Sequence, residues 1–171
     1  MDLRSLGVVQ DREHSFVGSF RHVVDAQGRV QFPRTLRRAM SPDAQDTLII
    51  TEDPDGCLTA YPLNEWAEIR DVWRDAVNDP KARRVRNMIR RVLAQAAEAR
   101  IDGQGRISLP SHLLTAAGIS DDALIVGAFD RIELWNPERF DEAMDEVGGA
   151  VETSASNLMV VRSSQQAASD G

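Results

Sequence analysis

Two short segments each set an aspartate four residues ahead of an arginine, with a glycine between: Asp25-Ala26-Gln27-Gly28-Arg29 and Asp102-Gly103-Gln104-Gly105-Arg106. An aspartate at the head of such a turn can accept hydrogen bonds from backbone N–H groups two residues on. The glycine can take the positive φ that a hairpin bulge demands. Carboxylate and guanidinium then stand at facing ends of the turn. Two roles are open. The pair locks a hairpin, or the carboxylate orients an arginine fork whose outward donors suit phosphate or guanine. Both can hold at once.

The remaining reactive side chains form no comparable set. His14, His22 and His112 are scattered, without the spacing of a metal-binding helix. Cys57 is the single cysteine, which excludes an internal disulfide and fits a reducing compartment; with no second cysteine and no local histidine it argues against a zinc site. It reads as a small core residue. Gly103-x-Gly105 lacks the third glycine and the following helix of a dinucleotide loop. Asp53-x-Asp55-Gly56 is a fragment of a calcium loop and reads as a turn. Trp66, Trp73, Trp135 and Phe140 fall at positions that pack. The expectation is no enzyme, no metal, no cofactor and no small-molecule substrate.

What positions the two turns is a repeat. Shifting the chain by 77 superposes the segment from Asp25 to Pro33 on that from Asp102 to Pro110, with Leu36/Leu113 and Ala39/Ala116 beyond. After a gap of three residues, placed in the turn-rich 52–56, Leu58-Thr59-Ala60-Tyr61 pairs with Ile132-Glu133-Leu134-Trp135. Each copy reads in one order. A strand (Phe20, His22, Val24; Ala99, Ile101) meets the turn, and a second strand (Val30, Phe32; Ile107, Leu109) stops at Pro33 or Pro110. A short helix buries Leu36, Ala39 and Met40, or Leu113, Leu114 and Ala117, and Gly118 closes the second. A buried strand (48–50; 124–126) and a partner (57–61; 132–135) follow. The last helix opens at Asn136-Pro137, a cap with proline at the first position, and ends at Gly148-Gly149. Between the copies two amphipathic helices are expected, one through Trp66, Ile69, Val72, Trp73 and Ala76. The other starts at Asp79-Pro80 and runs through Val85, Met88, Ile89, Val92, Leu93 and Ala96. The expected domains are a flexible extension 1–15, a first module 16–62, the helices 63–97, a second module 98–147 and a mobile tail 148–171.

The 171 residues carry a net charge of −7, which alone argues mildly against nucleic acid. The distribution argues otherwise. Residues 18–40 hold five arginines against one acid, and residues 80–106 hold eight basic residues against two. Such segregation can place one basic face on an acidic body. A 42% hydrophobic fraction suffices for a core. The longest apolar stretch, Ala123 to Phe129, is far short of a bilayer span, and the N-terminus shows no secretory signal.

The two turns, with Gly56-Cys57-Leu58, Tyr61-Pro62-Leu63-Asn64-Glu65-Trp66 and Arg131-Ile132-Glu133-Leu134-Trp135, make the chain resemble the MraZ family of bacterial transcription regulators, built from two AbrB-like (SpoVT-AbrB, swapped-hairpin) modules. The likeness covers about residues 16 to 147. It implies an α+β fold, a double-split β-barrel and a ring-shaped homo-oligomer. It also implies binding to short direct repeats in a promoter, upstream of the gene itself at the head of a division and cell-wall gene cluster. The family's DNA-facing arginine corresponds to Arg29, with Arg106 its counterpart in the second copy. Two departures stand out: the first turn has Gln27 where members often have lysine, and members usually begin close to the first strand.

The expected DNA-contacting residues are Arg29, Gln27, Gly28, Arg21 and Arg34 from the first copy, and Arg106 and Gln104 from the second. Asp25, Asp102 and Gly105 orient the turns. The expected partner is double-stranded DNA, in a cytoplasmic, nucleoid-associated homo-oligomer with no membrane contact. The alternative is an oligomeric protein-interaction scaffold without specific DNA recognition; salt-dependent binding to duplex DNA separates the two.

Overall fold

The computed structural model describes residues 15–78 and 80–146. The expected extension, apart from Ser15, and the expected tail lie outside the described residues, as does the Gly148-Gly149 helix end. The chain divides into two units after Arg139. Of the second unit, only the end of the last helix, to Glu146, is described.

Among the described residues the fold is mixed α+β with antiparallel sheets and five α-helices. Its elements are β1 (Ser19–Val23), β2 (Arg29–Gln31), α1 (Arg34–Ala39), β3 (Thr47–Glu52), β4 (Leu58–Pro62), α2 (Leu63–Asn78), α3 (Arg83–Gln95), β5 (Ala97–Arg100), β6 (Arg106–Ser108), α4 (Ser111–Ala117), β7 (Asp122–Ala128), β8 (Arg131–Trp135) and α5 (Pro137–Glu146). Six strands form one sheet in the order β1-β7-β8-β4-β3-β5, while β2 and β6 pair apart as a two-stranded ribbon. Among the described residues no helix is long and apolar enough to cross a membrane.

Strands of one copy pair with strands of the other. β1 runs against β7, β5 against β3, β2 against β6 and β4 against β8. The strands flanking each turn therefore do not make the hairpin ladder expected from the sequence. At the first turn a single bridge, Val24 to Val30, joins them. β1 finds its ladder on β7 instead, so the turn hands the chain from the sheet to the ribbon. The ladders also relocate the gap in the repeat. Leu48 opposite Ala99 corresponds to Ala123 opposite His22, so most of the length difference precedes β3, not the 52–56 turn. There α4 ends directly on Gly118 at φ 65°, whereas α1 runs on through a 3-10 turn, Pro42–Ala44, and two left-handed residues, Gln45 and Asp46.

Pro33 and Pro110 stand just before their helices, in extended conformation. Asn136 caps α5 as expected, its Oδ1 accepting from Glu138 N at 2.8 Å and Arg139 N at 3.1 Å. The helix expected from Asp79-Pro80 begins later, at Arg83, because Pro80 and Lys81 form a turn ahead of it. Val30 and Ile107 from the ribbon, Leu36 and Leu113 from α1 and α4, and Leu48, Ile50, Ile125 and Ile132 from the sheet share one buried core. Burying these branched side chains, at ~1.5–3 kcal/mol each, is what holds the interleaved copies together. Trp66 and Trp135 are buried, and Trp66 meets Trp73 edge to face at 5.4 Å.

Candidate nucleic-acid interface

Both turns fold by the same local chemistry. In the first, Asp25 Oδ1 accepts from Gln27 N and Arg29 N, each at 2.9 Å, and Oδ2 accepts from Arg29 Nε at 2.7 Å. In the second, Asp102 Oδ1 accepts from Gln104 N at 2.8 Å and Arg106 N at 2.9 Å, and Oδ2 from Arg106 Nε at 3.1 Å. Gly28 and Gly105 sit at φ 76° and 78°, where a side chain is strained, and each donates its N–H to its aspartate's carbonyl. The backbone N–H of Arg29 foremost holds the Asp25 carboxyl below its ordinary value, and that of Arg106 does the same for Asp102. Both aspartates are thus firmly ionised at neutral pH. The two roles left open by the sequence coexist: each carboxylate locks its turn and also fixes its arginine.

The ribbon brings the turns together. Arg29 lies opposite Ser108, Val30 opposite Ile107 and Gln31 opposite Arg106. Val30 and Ile107 point into the core, so Arg29, Gln31, Arg106 and Ser108 share the other face. The two arginines are two residue rises apart along the strands, ~7 Å. Arg29 Nη2 also donates to Gln27 Oε1 at 3.2 Å. The terminal Nη1 of each guanidinium has no hydrogen-bond partner among the described residues.

The other expected residues are placed differently. Arg21 belongs to β1 in the large sheet and is committed to Asp122, its Nε and Nη2 donating to Oδ2 at 3.0 and 2.7 Å. Arg34 opens α1, is exposed and makes no ion pair among the described residues. Arg37 donates to Asp46 at 3.0 and 2.7 Å. Three of the five arginines that made residues 18–40 basic are therefore paired, leaving Arg34 and Arg38 as local excess charge. A second basic surface lies on α3, where Arg83, Arg84, Arg90 and Arg91 are exposed.

Two residues of the ribbon face, Gln31 and Ser108, were not anticipated. The signal was available: each stands two places after its arginine in an alternating strand and so must share its face. Among the described residues no cluster of His, Cys, Asp and Glu could hold a metal ion. Burial pushes the Cys57 thiol pKa up, which leaves it an unreactive core residue. The Asp53 loop is a turn, Oδ1 accepting from Asp55 N at 2.9 Å.

Comparison with known proteins meets this geometry from another side. Residues 92–160 match the family model described as "MraZ protein, putative antitoxin-like". The chain is 33% identical to the transcriptional regulator MraZ of Natranaerobius thermophilus over 84% of its own length and 96% of that relative. It is 36% identical to the protein of the same name from Thermomicrobium roseum, over 73% of this chain and 84% of the relative. Against that of Acetivibrio thermocellus it is 32% identical, over 85% and 98%. Likeness of this extent, spanning both turn-bearing copies, places the chain in the MraZ family.

Proposed function

We propose that the protein is a transcription regulator that binds duplex DNA by laying the outer face of the β2–β6 ribbon in the major groove. One observation carries this reading: two arginines, each preset by its own aspartate, stand side by side on a solvent-facing two-stranded ribbon. The B-DNA major groove admits such a ribbon, and an arginine fork pairs with guanine O6 and N7. A spacing of ~7 Å along the strands is near two base steps of B-DNA. Each arginine is charge-balanced by its aspartate, so the ribbon is suited to orientation and base reading. Bulk attraction to phosphate falls to Arg34, Arg38 and α3. The names of the relatives, all regulators, support regulation over catalysis.

The finer picture belongs to the same proposal. The ribbon and large sheet together form a double-split β-barrel, with module boundaries at 16–62 and 98–147 and the helices 63–97 between. Subunits assemble as a ring in the cytoplasm, associated with the nucleoid. The ring engages direct repeats in the promoter of its own division and cell-wall cluster. Exposed apolar side chains, among them Met88 and Leu93 on α3, support self-association. Light scattering at micromolar concentration should give more than a monomer mass; a monomer throughout contradicts the ring.

Enrichment of bound duplexes from a randomised pool tests the reading. The expected product is a repeated motif with fixed spacing and guanines, bound more weakly as salt rises. Each further repeat engaged by a ring becomes an intramolecular event, so affinity should climb steeply with repeat number. Inserting half a helical turn between repeats should abolish the gain. No enrichment and no salt dependence would leave a scaffold.

A further inference from the structure

We propose that Gln31 is a specificity-determining residue of the ribbon: it presents a single acceptor oxygen to the exocyclic amino group of a base, adenine N6 or cytosine N4. The inference rests on the DNA-binding reading above and adds a contact to it.

Gln31 is exposed on the ribbon's outer face, two residues after Arg29 and directly across from Arg106. Its side chain is held. Nε2 donates to the carbonyl of Gln104 at 3.2 Å and to that of Gly105 at 2.9 Å. Carbonyl oxygens only accept, so these two contacts fix which end of the amide is nitrogen. Oε1 then accepts no hydrogen bond among the described residues. An untethered glutamine offers donor and acceptor together and matches adenine with two bonds. This one has spent its donors on the second turn and has only an acceptor left. In the major groove the donors available to it are the amino groups of adenine and cytosine; guanine and thymine offer O6 and O4, both acceptors.

The position also breaks the symmetry of the ribbon. Exchanging the two copies maps Gln31 onto Ser108, because Arg29–Ser108 and Gln31–Arg106 are equivalent pairs. Serine is too short to reach across as Gln31 does, and Ser108 makes no side-chain hydrogen bond to the first turn. The two ends of the ribbon thus ask different questions of the DNA, although their Asp-x-x-Gly-Arg turns are alike.

Randomised duplex should be enriched with the full chain and with Gln31→Ser and Gln31→Met, after circular dichroism shows the same fold. The parent should select an amino-bearing base at one position beside a guanine. Both variants should lose that preference, about tenfold in discrimination, while the guanine positions persist. Which base is selected separates adenine from cytosine. A duplex carrying the same base without its amino group should bind the parent about tenfold more weakly, and the variants no more weakly. Unchanged preference in both variants overturns the proposal, as does a uniform loss at every position, which would make the tie purely structural. If the parent itself enriches no sequence, the DNA-binding reading falls first and this contact with it.

Discussion

The two turns share a five-residue pattern and the same aspartate-centred hydrogen bonds, yet they are backed by different things. The first is pressed against main chain: a Cβ added to Gly28 would lie 2.6 Å from Leu109 O and 3.3 Å from Leu114 Cδ1. The second is backed by a side chain: a Cβ on Gly105 would lie 2.7 Å from Gln31 Nε2 and otherwise meets nothing close. A backbone carbonyl in the ribbon cannot yield without moving the ladder, whereas an amide at the end of a glutamine can swing aside. Identical local chemistry therefore produces turns of unequal tolerance, and the inequality comes from the partner strand.

Substitution at the glycines exposes the difference most strongly. Gly28→Ala combines left-handed strain with collision against Leu109 O, and should cost ~2–4 kcal/mol in urea unfolding. Gly105→Ala should cost ~1–2 kcal/mol, chiefly the strain of the left-handed residue. Equal losses would mean that the two turns are backed alike.

The sequence made the turns legible because their chemistry is local. Asp25 and Arg29 are four apart, and every bond between them is within the motif. Helix ends were legible for the same reason, as at Gly118 and Asn136. The pairing of strands was not. Alternation tells which face a residue takes but not which strand lies beside it, and β1 with β7 or β2 with β6 joins residues far apart in the chain. The same distance hid the partner of Arg21, whereas that of Arg37, Asp46, is nine residues on and is brought back to it by the 3-10 turn and left-handed residues after α1. Asp122 is 101 residues from Arg21, and nothing near the arginine announces it. The count of positive charge in residues 18–40 therefore overstated how much of it is unpaired. Alternation already put Gln31 on the face of Arg29, but its tie was not legible, because it crosses 73 residues to Gln104.

Acid should treat the turns alike, and weakly. Both aspartates are held below their ordinary pKa in the folded state, so the unfolded chain binds more protons in the window between. Their stabilising contribution is complete above the ordinary carboxylate range. It is lost as pH falls below about 4 through the depressed folded values. Carboxyl-carbon NMR titration should give both Asp25 and Asp102 midpoints below that of a free aspartate. A midpoint at or above it for either one would mean that its carboxylate does not hold the turn in solution. Below the transition, Arg29 and Arg106 lose their anchors while the buried core of the ribbon stays in place.

The central claim is that arginines preset by these turns read duplex DNA, and binding of Arg29→Ala and Arg106→Ala to the enriched duplex tests it most directly. Measured at one salt concentration on variants shown to be folded, each should bind ~1–3 kcal/mol more weakly, with the loss concentrated at the guanine positions. Parental affinity and unchanged base preference in both variants would contradict the account.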